Sequence, residues 1–262
     1  MILQDNLPED LRLPRPLPGI APLDPHDWLV VDEAFAAQIA ERDRLLATRR
    51  GDVLAVTPQG KAAAREVLEA VLGALGPAYA RQGNEVTRPD GVRVPLLWDD
   101  PLLSAGRLVQ EDLCLMQERD GVHVLVAAVL CFPASWSLDQ KIGKPLLAIH
   151  APVAEYDGDL AQRVQRLFHG IKVGRPLWRS NRLRYSAPDL FAPRREGDPH
   201  PLAGADAGFI RAERQCLLRL PRTGAVVFSI HTWMVRDAPD SVVRDAPDSA
   251  VRDAPDVKPL ES

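Results

Sequence analysis

Apolar residues recur at helical spacing in the first third of the chain and change to strand-like runs after residue 112. Asp32 precedes a segment with Phe35, Ile39, Leu45 and Leu46 and is placed to cap a helix. Thr57-Pro58 opens a second helix, with a capping hydroxyl followed by a proline whose missing N–H costs nothing at a first turn. Its apolar face is Ala64, Val67, Leu68, Val71, Leu72 and Leu75, and Gly76-Pro77 ends it. Residues 81–95 read as polar and irregular. Leu113 to Gln117 is a short strand, Asp120-Gly121 a hairpin turn, and Val122 to Phe132 a strand apolar on both faces. Lys144 to Val153 reads as another strand. Asp159 then caps a helix carrying Leu160, Val164, Leu167, Phe168 and Ile171. Gln215 to Leu220 and Ala225 to Trp233 flank a second hairpin turn at residues 221–224. Helices first, then strands joined by tight turns with one inserted helix, predict an α+β chain with an antiparallel sheet.

The two ends differ from this middle. Residues 1–31 are rich in proline and reach Trp28-Leu29-Val30-Val31, which reads as an extended arm anchored on the body by Trp28. At the other end Val235-Arg-Asp-Ala-Pro-Asp-Ser recurs from Val243 and, without its serine, from Val251. Each copy carries a proline and three charges with little to bury, so residues 235–262 read as a disordered repeat tail. One domain over residues 32–234 is expected between the two.

Composition narrows the function classes. The formal net charge is −4, from 32 basic and 36 acidic residues, too small to favour nucleic acid or an anionic membrane. No run approaches the ~18 apolar residues of a membrane helix, and the N-terminus lacks the basic-then-apolar order of a signal peptide. Cys114, Cys131 and Cys216 lie in apolar stretches without CxxC spacing, which fits free thiols in a reducing cytoplasm better than disulfides.

No nucleotide-binding, zinc-protease or serine-hydrolase signature is present, and the histidines at 26, 123, 150, 169, 200 and 231 show no metal-ligand spacing. His150 lies in Leu146-Leu-Ala-Ile-His-Ala-Pro-Val153, an imidazole among small apolar side chains. That setting suits an axial haem ligand or a base, and equally a core histidine bonded to a carbonyl. His169 is expected to face solvent; His123 and His231 read as structural. Arg211-Ala-Glu213-Arg214 offers guanidinium forks for carboxylates, or a surface ion-pair cluster. Glu111-Asp112 can orient an imidazole or an arginine. Lys141-Ile-Gly-Lys144 reads as a loop over the sheet. Arg175 to Arg184 is a candidate anion site.

Taken in order, Gln110-Glu-Asp-Leu-Cys-Leu, Cys131-Phe-Pro-Ala-Ser-Trp136, Lys141-Ile-Gly-Lys144, Ile149-His-Ala-Pro-Val153, Arg179-Ser-Asn181, Arg211-Ala-Glu-Arg-Gln-Cys-Leu217 and Gly224-Ala-Val-Val-Phe-Ser-Ile230 resemble the haem-dependent oxidative N-demethylase family, over about residues 19–233. The resemblance implies a PAS-like haem-binding fold and a haem subunit that takes electrons from a separate flavin and iron–sulfur reductase. Such a subunit uses O2 to oxidise an N-methyl group of a small secondary amine and releases formaldehyde. A PAS-like module that holds haem or another ligand without turnover is the alternative. On this resemblance His150 is the axial ligand. Arg211 and Arg214 are the candidates for the propionates, with Lys144 and Arg179 as further cofactor-binding cations. Glu111 and Asp112 are the candidate catalytic or orienting carboxylates. One departure stands out: the family pattern usually reads Arg-x-Asn-Trp, whereas this chain has Arg179-Ser-Asn181-Arg182, a change expected to bear on pocket shape or substrate choice.

Overall fold

The computed structural model describes residues 1–12, 19–150, 158–198 and 207–237. The elements in chain order are α1 (Glu9–Arg12), β1 (Ala21–Pro22), α2 (Phe35–Thr48), α3 (Arg50–Val53), β2 (Leu54–Val56), α4 (Lys61–Ala74), β3 (Ala80–Gln82), β4 (Glu85–Thr87), β5 (Arg93–Pro95), α5 (Pro101–Leu108), β6 (Asp112–Arg119), β7 (Val122–Val129), α6 (Leu146–His150), α7 (Gly158–Gly170), β8 (Leu177–Tyr185), β9 (Phe209–Arg219) and β10 (Val226–Arg236).

The main sheet is antiparallel with strand order β1-β8-β9-β10-β6-β7-β2. Five of its strands form a hairpin, β6–β7, then helices, then a meander, β8–β9–β10, whose last strand returns beside β6. That is the strand order of a PAS sheet, so the chain is α+β with a PAS-like core. The β6–β7 turn uses Asp120 at φ 49° and Gly121 at φ 80°, the left-handed pair that a tight hairpin needs. Strand alternation divides the sheet into two faces. Leu113, Leu115, Val227, Trp233, Ile210 and Ala212 point to the side covered by α2, α4, α5 and the N-terminal segments. Cys114, Met116, Leu125, Leu217 and Val226 point to the other side, with Leu146 of α6 and Phe168 of α7.

The helices expected after Asp32 and Thr57 are present. Thr57 accepts a hydrogen bond from Gly60 N, and one 3-10 turn over Pro58–Gly60 leads into α4. Asp32 Oδ1 accepts from Ala34 N just ahead of α2. Trp28 is buried, its Nε1 donating to Ser229 Oγ at 2.9 Å, and so pins the arm as foreseen. The arm nevertheless contains α1 and β1, which proline content obscures.

Three expectations are corrected, and one helix is new. Lys144 to Val153 is not a strand: Pro145 makes only an isolated bridge to Val124, and Leu146–His150 is helical. A short apolar run does not distinguish the two by periodicity; here Pro145 cannot donate to a ladder, and its carbonyl takes Ile149 N instead. Residues 151–157 lie outside the described residues. The polar stretch 81–95 is a small sheet, β3-β4-β5, turning Val86 and Val94 inward. Asp100-Pro101 opens a helix, α5, that its few residues did not announce. Arginine-rich residues 177–185 are a strand, and β9 begins at Phe209, so the Arg211–Arg214 cluster lies within it rather than before it. Of the tail expected from residue 235, Val235 and Arg236 belong to β10 and residues from 238 lie outside what is described, as does the side chain of Asp159, which falls within the first turn of α7.

Candidate functional site

Alternation along β6, β9 and β10 sorts the candidate residues onto opposite faces. Glu111 and Asp112 are adjacent in sequence and therefore point apart. Asp112 is buried under Arg42, whose Nη1 lies 2.6 Å from its Oδ1. The same carboxylate accepts Cys131 N at 2.7 Å and Phe132 N at 2.9 Å. Both oxygens are thus committed to bracing α2 and the chain beyond β7. Arg42 completes its own shell on the carbonyls of Gly106, Gln110 and Glu111.

Glu111 points to the helix side and meets His231. Glu111 Oε1 is 3.0 Å from His231 Nδ1, and Asp32 Oδ2 is 3.2 Å from His231 Nε2. Both partners are carboxylates, so both ring nitrogens must donate and the ring is an imidazolium. Burial alone would lower the His231 pKa, but the hydrogen bonds and charges of Asp32 and Glu111 outweigh it and raise it above its ordinary value. Burial likewise raises Asp32, and the hydrogen bond and charge of His231 together with the hydrogen bonds from Gln110 and Gln4 outweigh it and hold the pKa below its ordinary value. Gln4 and Gln110 donate to Asp32, and Glu111 accepts Val30 N, so the network fastens the N-terminal arm to the sheet. Glu111 Oε2 is buried without a partner among the described residues. The sequence reading gave these acids as candidates to orient an imidazole or an arginine. It missed that the imidazole is His231. The signal was the alternation of His231 with Ser229 and Trp233, readable only once the register is known.

Arg211 and Arg214 also fall on opposite faces, so they cannot grip one ligand together. Each nitrogen of Arg211 is engaged: Nε with Glu213 at 3.0 Å, Nη1 with Leu190 O at 3.1 Å, and Nη2 with Phe132 O. Arg214 lies on the arm side and donates to Asp27 O and Trp28 O. Lys144 is half-exposed, 4.0 Å from Glu196. Arg182 alternates away from Arg179 and Asn181, and its Nη1 donates to Arg12 O. The departure at Arg182 therefore falls on the arm side of β8 and leaves the other face unchanged.

Arg179 is the exception among the cations. It shares the second face with Gln215, its cross-strand neighbour, and with Leu177 and Leu217. It is only partly exposed, makes no hydrogen bond among the described residues, and feels Glu213 electrostatically. Burial lowers its pKa, although Glu213 works the other way. Glu213 is itself buried, held by Arg211 and Gln215. Across from it on β10, Thr232 Oγ1 is buried with no partner among the described residues. Phe228 and Ile230 continue this face toward Val226, and α6, ending at His150, packs beside β7 along it.

The other histidines settle elsewhere. His123 is fully buried, with Nδ1 accepting from Gln165 Nε2 at 2.6 Å; burial pushes its pKa down to about 4. His169 is exposed as expected, its Nε2 3.1 Å from Glu118 and its ring tilted 59° to that of His123. Cys114, Cys131 and Cys216 are free and buried. Among the described residues no cluster of histidine, cysteine and carboxylates forms a metal site, and no helix is long and apolar enough to cross a membrane.

The face so defined mixes apolar side chains with Glu213, Gln215 and Arg211, carries a guanidinium, Arg179, without a hydrogen bond among the described residues and a buried Thr232 hydroxyl without a partner there, and is bordered by a short helix that ends in histidine. The model of the family described as haem-dependent oxidative N-demethylase, alpha subunit-like, matches residues 19–239, and the chain belongs to that family. A haem is a flat apolar group with two carboxylates and an open iron. Of that chemistry the second face shows a cation, Arg179, suited to a propionate, beside apolar side chains, Leu177, Leu217 and Phe228, that pack in one cluster with Phe168 and Ile171.

Proposed function

We propose that the second face of the sheet binds haem, with His150 as axial ligand, and that the chain is the oxygenase component for oxidative N-demethylation of a small secondary amine. The observation that carries this reading is Arg179, a desolvated guanidinium on an apolar face with no hydrogen bond among the described residues. Glu213 acts on that charge only electrostatically, which leaves the guanidinium's donors able to take an anion. Bound haem supplies oxygen activation, with electrons from an external flavin and iron–sulfur reductase.

The chain's own groups do the rest. Arg179 neutralises a propionate. Glu213, fixed by Arg211 and Gln215, balances part of the Arg179 charge and keeps the Gln215 amide in place. Thr232 offers its hydroxyl to a polar atom of whatever occupies the face. The apolar neighbours Phe228 and Ile230 exclude water from the reacting centre. Asp112 and Glu111 act at one remove: they hold the strand edge and the arm that frame the sheet, rather than touching substrate.

The test is turnover. Full-length protein loaded with hemin and supplied with NADH, a surrogate flavin and iron–sulfur reductase and dimethylamine is expected to release formaldehyde in step with O2 uptake. Hemin-loaded protein that is reduced and binds O2 but yields no formaldehyde from any small N-methyl amine contradicts the oxygenase reading and favours a haem-binding module without turnover.

A further inference from the structure

The Lys-Ile-Gly-Lys sequence at 141–144 is not a loop lying loosely over the sheet. Gly143 N donates to Leu125 O at 2.8 Å and Leu125 N donates to Lys144 O at 3.0 Å, which stitches the start of α6 to β7. Gly143 sits at φ 77°, a conformation costly for any side chain with a Cβ. Lys141 reaches the opposite end of the same helix. Its Nζ donates to Ile149 O at 2.6 Å and pairs with Glu196 at 2.7 Å. One four-residue motif therefore holds both ends of a five-residue helix.

Lys141 is 5% exposed, and a lysine is rarely buried without a specific partner. A surface lysine would satisfy solvent at no cost. Here the ammonium is taken out of water, balanced by Glu196, and aimed at one carbonyl, that of the residue before His150. Lys141 also sits where a cation complements the carbonyl end of a helix. Glu196 is fixed in turn, its own N–H donating to Gln140 Oε1 at 2.8 Å. The hydrogen bond from Lys141 holds its carboxyl below the usual carboxylate range.

We propose that Lys141, backed by Glu196, is a positioning residue of the iron site, gripping the Ile149 carbonyl and thereby fixing the end of α6 that carries His150. The inference rests on the reading of His150 as axial ligand. Groups that orient a metal ligand are commonly worth ten- to a hundredfold in metal affinity. Lys141 does so through the backbone rather than through the imidazole.

The experiment is hemin titration of the full-length chain, read by the Soret band and by the high-spin to low-spin balance, with Lys141→Met and His150→Ala beside the wild type. Lys141→Met is expected to weaken hemin binding roughly ten- to a hundredfold and to shift the spin balance. Hydrogen exchange of residues 146–150 in the hemin-free protein is expected to speed up in the same variant. Wild-type affinity and spectrum in Lys141→Met, with His150→Ala defective, overturn the proposal alone and leave Lys141 as packing. A wild-type spectrum in His150→Ala overturns the ligand reading, and the proposal with it. If Lys141→Met does not fold, Glu196→Ala at its exposed position carries the same criteria, with a weakened, spin-shifted complex expected and an unchanged one contradicting.

Discussion

At Asp112 the chain buries a carboxylate that braces two backbone N–H groups, and at Arg42 it buries the guanidinium that neutralises it. Such a pair adds little over an apolar pair of the same shape, but breaking it strands a charge. Asp112→Asn is expected to cost about 3–5 kcal/mol of folding free energy, measured by urea unfolding. His231 gives a pH signature. Its pKa is raised above the ordinary 6.5, so the stability it contributes is full below about that pH and is lost as pH rises through the higher folded value. Asp32 is held below its ordinary 3.8, so its contribution is present above that pH and is lost as pH falls through the lower folded value. His231→Ala is therefore expected to lower the melting temperature most between about pH 4 and 6.5, with the gap to wild type narrowing as pH rises further. A gap that widens with rising pH would contradict the imidazolium assignment.

At the scale of elements, what periodicity could reveal it did reveal. Helices α2 and α4 and the β6–β7 and β9–β10 hairpins were legible because their apolar spacing, caps and turn residues agree. Short elements were not. Strands β3 to β5 have three residues each, too few for alternation to register, and α6 is an apolar run of five whose helical state depends on Pro145 and on Lys141. Strand β8 was hidden by its arginines, which alternation sends to two faces. The pairings at the site escaped for the same reason. Glu111 with His231, and Asp112 with Arg42, join residues about 120 and 70 positions apart, which only the sheet register brings together. Close approach of elements also leaves marks at single glycines. A Cβ on Gly60 would stand 2.3 Å from Val126 O, backbone that cannot yield cheaply. Gly60→Ala is expected to destabilise by about 1–3 kcal/mol through forced separation of the start of α4 from β7, seen as a lower urea midpoint.

For the whole molecule, the family match ends at residue 239, two residues past Asp237, the last described residue, and before the second copy of the octapeptide. Each copy of the repeat carries one proline and three charges. Truncation after Asp237 is expected to leave the melting temperature and hemin uptake unchanged; a loss of either would assign the tail a role in the fold or the site. On the proposed reading the α6 side of the sheet takes the ligand through Arg179 and Thr232, while the arm side is closed by His231 with Asp32 and Glu111. Titrating hemin-free, full-length protein with hemin tests this division most directly. A saturable one-to-one Soret band, weakened by Arg179→Ala and abolished or shifted by His150→Ala, is the predicted result. A chain that takes up no hemin, or one whose spectrum is the same in both variants, would contradict it.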